Sequence, residues 1–236
     1  MVEEIRKNVM IMYAASSGKP LFIDATTGQV LDERLVRKAR LEEMVYFRDK
    51  NVYTKVPREE SFRHTGKAPI AVKWVDVNKG DDEAHNYRSR LVAKDFRRKG
   101  DDSIFAPTPP LESLRTLLTM ASTPSLWIPE GMVLKGEQRM QISLVDISRA
   151  YFHARVEDDN PLFVELPPED EDFGKGLCGR LNVHMYGTRP AAEGWHNEYA
   201  TTMQDMGFMV GSSTACVFCH PEWCLASSVH GDDFTS

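Results

Sequence analysis

Residues 140–147, MQISLVDI, form an apolar run that contains an aspartate, Asp146, near its end. Their side chains alternate between two faces, which predicts a β-strand with Leu144 and Asp146 on the same face. A lone aspartate near a strand end is usually a capping or turn residue. A chemical role for Asp146 therefore requires that other acidic residues come close to it in the fold.

Two adjacent aspartates, Asp232 and Asp233, are the candidates for that role. The chain has four Asp-Asp pairs, and three of them lie in polar, loop-like sequence where aspartates form turns and solvated charge. The fourth pair follows the β-like run Trp223–Val229 and precedes Phe234. Adjacent carboxylates at a tight turn repel each other, so they need a purpose or a counter-ion. With Asp146 on a neighbouring strand, they suggest a site for two Mg²⁺ ions about 3.5–4 Å apart, which suits phosphoryl transfer.

The pattern of the remaining chain predicts both helices and antiparallel strands. In chain order we expect a helix from Asp32 to about Lys50, a strand at 51–56, a hairpin of strands 70–77 and 87–96, a helix at 111–121, the strand at 140–147, a helix from Pro190 to Gly207, and strands at 215–219 and 223–229. This order predicts an α+β fold, with antiparallel strands and helices packed on one face.

Charge is distributed unevenly along the chain. The formal net charge is −6, yet residues 34–115 hold 19 basic and 13 acidic groups, whereas residues 116–236 hold 7 basic and 17 acidic groups. A basic segment attracts phosphates and an acidic one can hold metal ions. A solvated charged surface explains the same distribution, so charge alone leaves both interpretations open.

The four cysteines favour free thiols in a reducing compartment. Cys216, Cys219 and Cys224, together with His220, suggest a zinc site, but the first two lie in a strand-like run and a second paired ligand set is missing. The sequence has no apolar run of about eighteen residues and starts as a poor secretory signal. We therefore expect an intracellular protein, cytoplasmic or nuclear, with no membrane partner.

The order of these segments resembles the reverse transcriptase domain of copia-type retrotransposon Pol polyproteins, from about Leu35 to Ser236. The segments that carry the resemblance are ARLEEMVYFRDKNVYTKVPREES (39–61), WVDVNKGDD (74–82), YRSRLVAKDFRRKGDD (87–102), FAPTPPLESLRTLLTMA (105–121), DISRAYFHA (146–154), FVELPPED (163–170), GRLNVHMYGTRPAAEGWHNEY (179–199) and VHGDDF (229–234). Each segment alone is weak evidence, whereas all of them in the family's order form a specific signal.

The resemblance implies a fingers-and-palm fold with an antiparallel palm sheet. We expect a lead-in at residues 1–33, mainly fingers at 34–121 and mainly palm at 122–236. Because the sequence ends three residues after Asp233, we also expect the second strand of the last hairpin, the thumb and the remainder of the Pol polyprotein to be missing.

The activity that the resemblance implies is RNA-directed DNA synthesis, in which deoxynucleoside triphosphates are added to a primer 3′ end. The expected partners are an RNA or DNA template-primer and deoxynucleoside triphosphates. The expected cofactor is a pair of Mg²⁺ ions, with Mn²⁺ as the alternative metal.

Site residues follow from the family's motifs by position. Asp146 and Asp232 are expected to bind the metals, and Asp233 completes the catalytic carboxylates. The carbonyl of Ile147 is expected to face a metal. Tyr151 matches the aromatic residue that excludes a ribose 2′-hydroxyl, because a ring beneath the sugar leaves no room for the extra oxygen. The alternative for Tyr151 is a core aromatic residue.

Basic residues complete the predicted nucleotide site. Arg88, Arg90 and Lys94 lie where the family's fingers residues meet the triphosphate, and strand alternation places all three on one face. Arg189 stands where the family has a lysine in its Tyr-Gly motif. Pro190 replaces the glutamine that usually follows, which puts nucleotide positioning at this motif in question.

Two other functions fit parts of the sequence. The Pro190 substitution and the abrupt end are compatible with an inactive or repurposed fragment that binds nucleic acid through residues 34–115. A metal-dependent nuclease would use the same carboxylates, although the sequence offers no obvious general base for one. The aspartates also follow His230 and Gly231 rather than the family's usual residues.

Overall fold

A computed structural model of the chain describes residues 21–81, 83–96, 106–123 and 141–236. The chain divides into two compact units. Unit 1 comprises Met1–Arg97 and Arg155–Arg189, and unit 2 comprises Arg98–Ala154 and Pro190–Ser236. Among the described residues, no helix has the length and apolar character that a membrane span requires.

The described elements include the predicted helices and strands and several short elements that the sequence did not predict. They are α1 (Glu33–Asp49), β1 (Tyr53–Pro57), α2 (Glu59–Thr65), β2 (Val72–Asn78), β3 (Tyr87–Ala93), α3 (Leu111–Ser122), β4 (Leu144–Asp146), a 3-10 helix (Ala150–His153), β5 (Phe163–Glu165), β6 (Leu177–Leu181), α4 (Ala191–Asp205), β7 (Met209–Val210), β8 (Val217–His220), β9 (Leu225–His230) and β10 (Asp233–Thr235). All pairs between these described strands are antiparallel, and Ile70 forms an isolated parallel bridge with Val164 of β5. The mixed α and β content with antiparallel sheets confirms the predicted fold class at this level.

Unit 1 contains a three-stranded sheet in the order β1-β6-β5 and the separate hairpin β2–β3. Residues 155–189 join this unit because β6 pairs with β1 along all five residues of β1. The boundary of the compact units therefore differs from the predicted division between residues 121 and 122. The division into fingers and palm stays a prediction.

Helix α1 begins where the sequence predicts, because the side chain of Asp32 accepts a hydrogen bond from the Leu35 N–H at 3.0 Å. Such a cap satisfies one of the N–H groups that lack partners at a helix start. The helix buries a stripe that includes Val36, Ala39 and Phe47. This stripe is the amphipathic face expected from a period near 3.6 residues.

Arg40 ties α1 to the hairpin. Its guanidinium donates to both carboxylate oxygens of Asp76 on β2, at 3.2 and 2.7 Å, and to Glu169 at 3.0 Å. The rings of Phe22 and Trp74 lie 4.9 and 5.2 Å from it. Because a largely buried arginine is stable only when its charge is matched, this network fixes β2, and with it β3, against α1.

Unit 2 is built on a five-stranded antiparallel sheet in the order β4-β10-β9-β8-β7. Its core consists of residues from α4, the strands and the chain around them: Ala150, Trp195, Tyr199, Phe208, Phe218 and Val229. The predicted strand at 140–147 is shorter in the structure, since β4 covers only Leu144–Asp146. Met140, at its start, lies outside the described residues.

The expectation that the last hairpin lacks its second strand was wrong. Strand β10 follows the paired aspartates and hydrogen-bonds on both sides, to β9 and to β4. Three residues suffice because β10 lies between two neighbours rather than at a sheet edge. Its central residue, Phe234, also packs against the core of unit 2.

Candidate active site

Asp146 and Asp233 occupy opposite positions in the β4–β10 ladder, and Asp233 is in turn opposite His230 on β9. Directly opposed residues of antiparallel strands project from the same face, with Cβ atoms about 4.5–5.5 Å apart. The three side chains therefore form a row across three strands. All three residues are exposed.

The turn that carries Asp232 is fixed by two hydrogen bonds to its backbone. The N–H of Ile147 donates to the Asp232 carbonyl at 2.8 Å. The indole N–H of Trp195 donates to the Gly231 carbonyl, also at 2.8 Å. Gly231 has φ +64°, the left-handed conformation that a two-residue hairpin turn requires at its first position and that glycine adopts without strain.

The opposite face of the same strands rests on the core of unit 2. Phe234 and Val229 are opposite each other one position along the ladder, so they point away from the aspartates. The Tyr199 ring contacts the rings of Phe234, Trp195 and Phe218 edge-on, at centroid distances of 5.7, 5.5 and 6.0 Å. This aromatic packing gives the carboxylate row a rigid support.

Tyr151 lies beside the aspartate turn. It is half-buried and packs against the edge of the core cluster. Burial raises the pKa of its hydroxyl, and the negative charge of Asp232 raises it further. The structure thus brings Tyr151 close to Asp232. Core packing explains part of its burial, and its role toward a sugar stays a prediction.

The carboxylate oxygens of Asp146, Asp232 and Asp233 are the type of ligand that a hard divalent cation prefers. In the described part of the chain, no lysine or arginine forms an ion pair with Asp146, Asp232 or Asp233. Opposed carboxylates without a cation repel each other, and oxygen ligands suit Mg²⁺. Within that same part, however, no three His, Cys, Asp or Glu side chains are arranged as a ready metal cage. The strand register places Asp146 opposite Asp233, and the adjoining turn carries Asp232.

A cleft of about 530 Å³ adjoins the row. Asp146, Asp233 and His230 line one part of it, and apolar side chains that include Leu111 and Leu114 of α3 line another. This volume lies within the range of about 300–1,000 Å³ that is usual for ligand sites. The carboxylates are thus reachable from solvent through a largely apolar cleft.

Of the predicted basic row in unit 1, Arg88 and Arg90 lie on β3 and Lys94 follows its last residue. Arg88, Arg90 and Lys94 are exposed and Val92 on the same side is half-buried, while the alternate residues Ser89, Leu91 and Ala93 are buried. This alternation confirms that the three cations share the outward face of the hairpin. The guanidinium carbon of Arg90 lies 5.0 Å from the centre of the Tyr186 ring.

The Tyr186–Arg189 segment runs along the end of β3. The Ala93 N–H donates to the Tyr186 carbonyl at 2.8 Å, and the Asp95 N–H donates to the Gly187 carbonyl at 3.3 Å. The Asp95 carboxylate accepts from the Arg189 backbone N–H at 3.0 Å. These bonds attach the predicted nucleotide motif to the hairpin that carries the basic row.

Residues 51–234 match the family Reverse transcriptase (RNA-dependent DNA polymerase). The chain belongs to this family. It is also 27% identical over 193 residues to the retrovirus-related Pol polyprotein from transposon TNT 1-94 of Nicotiana tabacum. That match covers 79% of this chain and 13% of the relative, so the chain spans only a small part of the relative's length. The resemblance to copia-type retrotransposon reverse transcriptases is confirmed.

The predicted site residues of this reverse transcriptase lie in two different compact units. Those of unit 2 are Asp146, Ile147, Tyr151, Asp232 and Asp233. Those of unit 1 are Arg88, Arg90, Lys94 and Arg189. The structure brings the first group together around one hairpin, and it joins Arg90 and Arg189 through the Tyr186–Arg189 segment.

Among the described residues, the cysteines and the histidine of the zinc alternative do not form a group that could hold a metal ion. Cys216 is buried, Cys219 is half-buried and Cys224 is exposed, all as free thiols. His220 already uses both ring nitrogens: Nδ1 accepts from the Trp223 N–H at 3.2 Å, and Nε2 lies 3.1 Å from the Met206 carbonyl. Its ring therefore closes the β8–β9 turn in the described structure.

Sequence reasoning missed the roles of Tyr186 and Asp95. Both lie inside quoted motifs, but their contacts join segments that are far apart in the chain. The sequence feature that indicates this contact is Gly187, which has φ +82° in the structure. A Cβ at this position would lie 2.1 Å from the Ala93 carbonyl oxygen, so only glycine permits the close approach to β3.

Proposed function

We propose that this reverse transcriptase domain catalyses RNA-directed DNA synthesis, adding deoxynucleotides to a primer 3′ end on an RNA or DNA template. The observation that supports this most directly is the register pair Asp146–Asp233 beside the Asp232 turn, within a chain of this family. The β2–β3 hairpin would belong to the fingers and the five-stranded sheet to the palm. The thumb and other Pol domains would come from sequence outside this chain.

Asp146, Asp232 and Asp233 would hold two Mg²⁺ ions, with Mn²⁺ as the alternative metal. When bound, the ions would activate the primer hydroxyl and stabilise the leaving pyrophosphate. The protein's own contribution is position. The two hydrogen bonds to the Gly231 and Asp232 carbonyls hold the turn, and the aromatic core behind it keeps the carboxylates in place. Catalysis of phosphoryl transfer depends mainly on such positioning and charge stabilisation.

The incoming nucleotide would be bound by basic residues and selected by an aromatic ring. Arg88, Arg90 and Lys94 would contact the triphosphate, together with Arg189. Tyr151 would lie beneath the sugar and exclude a ribose 2′-hydroxyl. Burial raises the pKa of its hydroxyl and the charge of Asp232 adds to this, which is compatible with a position near the aspartate turn.

Primer extension tests the proposal. The assay uses the 236-residue chain with a poly-adenylate template, an oligo-thymidylate primer, Mg²⁺ and thymidine triphosphate. Asp232→Ala is expected to abolish extension, whereas Asp159→Ala, at an exposed loop aspartate, is expected to retain it. Extension that survives Asp232→Ala would overturn the catalytic assignment.

A second candidate is nucleic-acid binding without synthesis. It is favoured by Pro190, which forms the N-cap of α4 where the family has a glutamine side chain. In this case template-primer binding would weaken steeply with salt, because basic residues displace counterions from phosphates. Salt-sensitive binding of the same template-primer, with no thymidine incorporation by any version of the chain, would favour this candidate.

A further inference from the structure

Arg90 differs from the other two cations of its row in what lies beneath it. Its guanidinium carbon is 5.0 Å from the Tyr186 ring centre, inside the cation–π range of about 6 Å. Among the described residues, neither Arg88 nor Lys94 has such a ring contact. All three are exposed, so an aromatic platform is what distinguishes Arg90 within the row.

The platform is held by backbone contacts rather than by side-chain packing alone. The Tyr186 carbonyl accepts from the Ala93 N–H at 2.8 Å, three residues beyond Arg90 on the same strand. Gly187 then crosses β3 at a distance that a Cβ would prevent. The register of Tyr186 against Arg90 is therefore fixed by main-chain geometry.

We infer that Tyr186 is a positioning residue that holds the Arg90 guanidinium for the triphosphate of the incoming nucleotide, which makes Arg90 the principal phosphate contact of the row. The inference rests on the proposed function. A ring against one face of a guanidinium leaves its N–H edge able to donate two parallel hydrogen bonds to phosphate oxygens. It also restricts the side chain before binding, so less rotamer freedom is lost when the phosphate arrives.

The platform itself is tested without any ligand by nuclear magnetic resonance of the labelled full chain. Side-chain protons of Arg90 are expected to show ring-current shifts that Tyr186→Phe retains and Tyr186→Leu removes. Arg88 is the matched control, and its shifts are expected not to change. Unshifted Arg90 protons in the unmodified chain would overturn the inference.

Phosphate binding is tested by calorimetric titration of the same proteins with inorganic tripolyphosphate. Arg90→Gln is expected to weaken binding roughly tenfold, as loss of charge-assisted hydrogen bonds does. Tyr186→Leu is expected to weaken it roughly two- to fivefold, the range of an exposed cation–π contact, while Tyr186→Phe restores it. Arg88→Gln is expected to have a smaller effect than Arg90→Gln.

A double variant separates positioning from a general structural effect. Adding Tyr186→Leu to Arg90→Gln is expected to cause no further loss, because the ring acts through Arg90. Additive losses, unchanged binding in Tyr186→Leu, or no tripolyphosphate binding by the unmodified chain would each overturn the inference. Failure of the proposed function has a different signature: primer extension that survives Asp232→Ala, with Tyr186-dependent tripolyphosphate binding intact.

Discussion

Asp146 on β4 lies directly opposite Asp233 on β10, so two carboxylates share one face of the sheet next to the turn that carries Asp232. Like charges directly opposed across strands destabilise a sheet by roughly 0.2–1 kcal/mol. This cost is tolerated where a cation relieves it. If the proposed divalent ions bind here, the pairing connects the stability of unit 2 with metal binding.

Asp146→Asn is expected to affect stability in opposite directions with and without metal. In a chelator, the midpoint of thermal unfolding should rise by a degree or two, since a repulsion is removed. With added Mg²⁺ or Mn²⁺, the variant should lose the stabilisation that the unmodified chain gains from ligand binding. Thermal unfolding by circular dichroism measures both effects. Equal gains from metal in the variant and in the unmodified chain would contradict the site, and Asp159→Asn serves as the charge-matched control.

Trp195→Phe should weaken the turn at Gly231 and Asp232 without leaving a large cavity in the core. The phenyl ring keeps much of the packing against Tyr199, but the hydrogen bond to the Gly231 carbonyl is lost. We expect the free energy of unfolding to fall by about 1 kcal/mol, the usual contribution of one hydrogen bond. Urea unfolding followed by far-ultraviolet circular dichroism measures it. Trp223→Phe, at a tryptophan with 58% exposure, is the control and should cost less.

Gly187→Ala tests the attachment of the Tyr-Gly motif to β3. The new Cβ would meet the Ala93 carbonyl oxygen at 2.1 Å, in a residue with φ +82°. Gly174 has a similar φ of +77° but no atom within 4 Å of its Cβ position. Gly174→Ala should therefore cost only the left-handed strain of about 1–2 kcal/mol, and Gly187→Ala should cost clearly more. Equal losses in urea unfolding would show that the close approach to β3 carries no energetic weight.

Local patterns in the sequence predict several individual elements and turns in both units. The Asp32 cap, the alternation of Arg88 and Arg90 with buried residues, and the turn at Gly231 each depend on residues near one another in the chain. Local propensity and side-chain period decide such features. They could therefore be predicted without knowledge of the tertiary fold.

Features that depend on strand register could not be predicted in this way. The opposition of Asp146 and Asp233 joins strands from distant parts of the chain, and β10 has only three residues, too few for a periodic signal. The same holds for residues 155–189, whose membership of unit 1 follows from the pairing of β6 with β1. The contact of Arg90 with Tyr186 is a further case, because Gly187 beside Tyr186 was its only indication in the sequence.

Acid sensitivity should come partly from Asp170 in unit 1. Burial, the largest single cause, raises the pKa of its carboxyl. The hydrogen bond from Lys55 at 2.7 Å, those from the Asp172 N–H and the Tyr53 hydroxyl, and the charge of Lys55 together lower it more. The net pKa lies below the ordinary value of 3.8. The folded state therefore binds this proton less readily than the unfolded state, so its contribution to stability is complete above pH 3.8 and is lost as pH falls through the lower value.

Asp170→Asn removes this contribution. The urea midpoint of the unmodified chain should fall between pH 6 and pH 3, and the fall should be shallower in Asp170→Asn. Asp159→Asn, at an exposed aspartate, should follow the unmodified chain. Parallel pH profiles for Asp170→Asn and the unmodified chain would assign the acid sensitivity to other carboxylates.

Tyr151 offers the test that separates a sugar gate from a core residue. In a chain with measurable primer extension, Tyr151→Ala is expected to lower the preference for thymidine triphosphate over uridine triphosphate by on the order of tenfold or more, because the steric bar to the 2′-hydroxyl is removed. Tyr151→Phe keeps the ring and should keep the preference. The ratio of kcat/KM values for the two nucleotides measures it. If Tyr151→Ala lowers the unfolding midpoint but leaves that ratio unchanged, Tyr151 belongs to the core at the edge of the Trp195 cluster and selects no sugar.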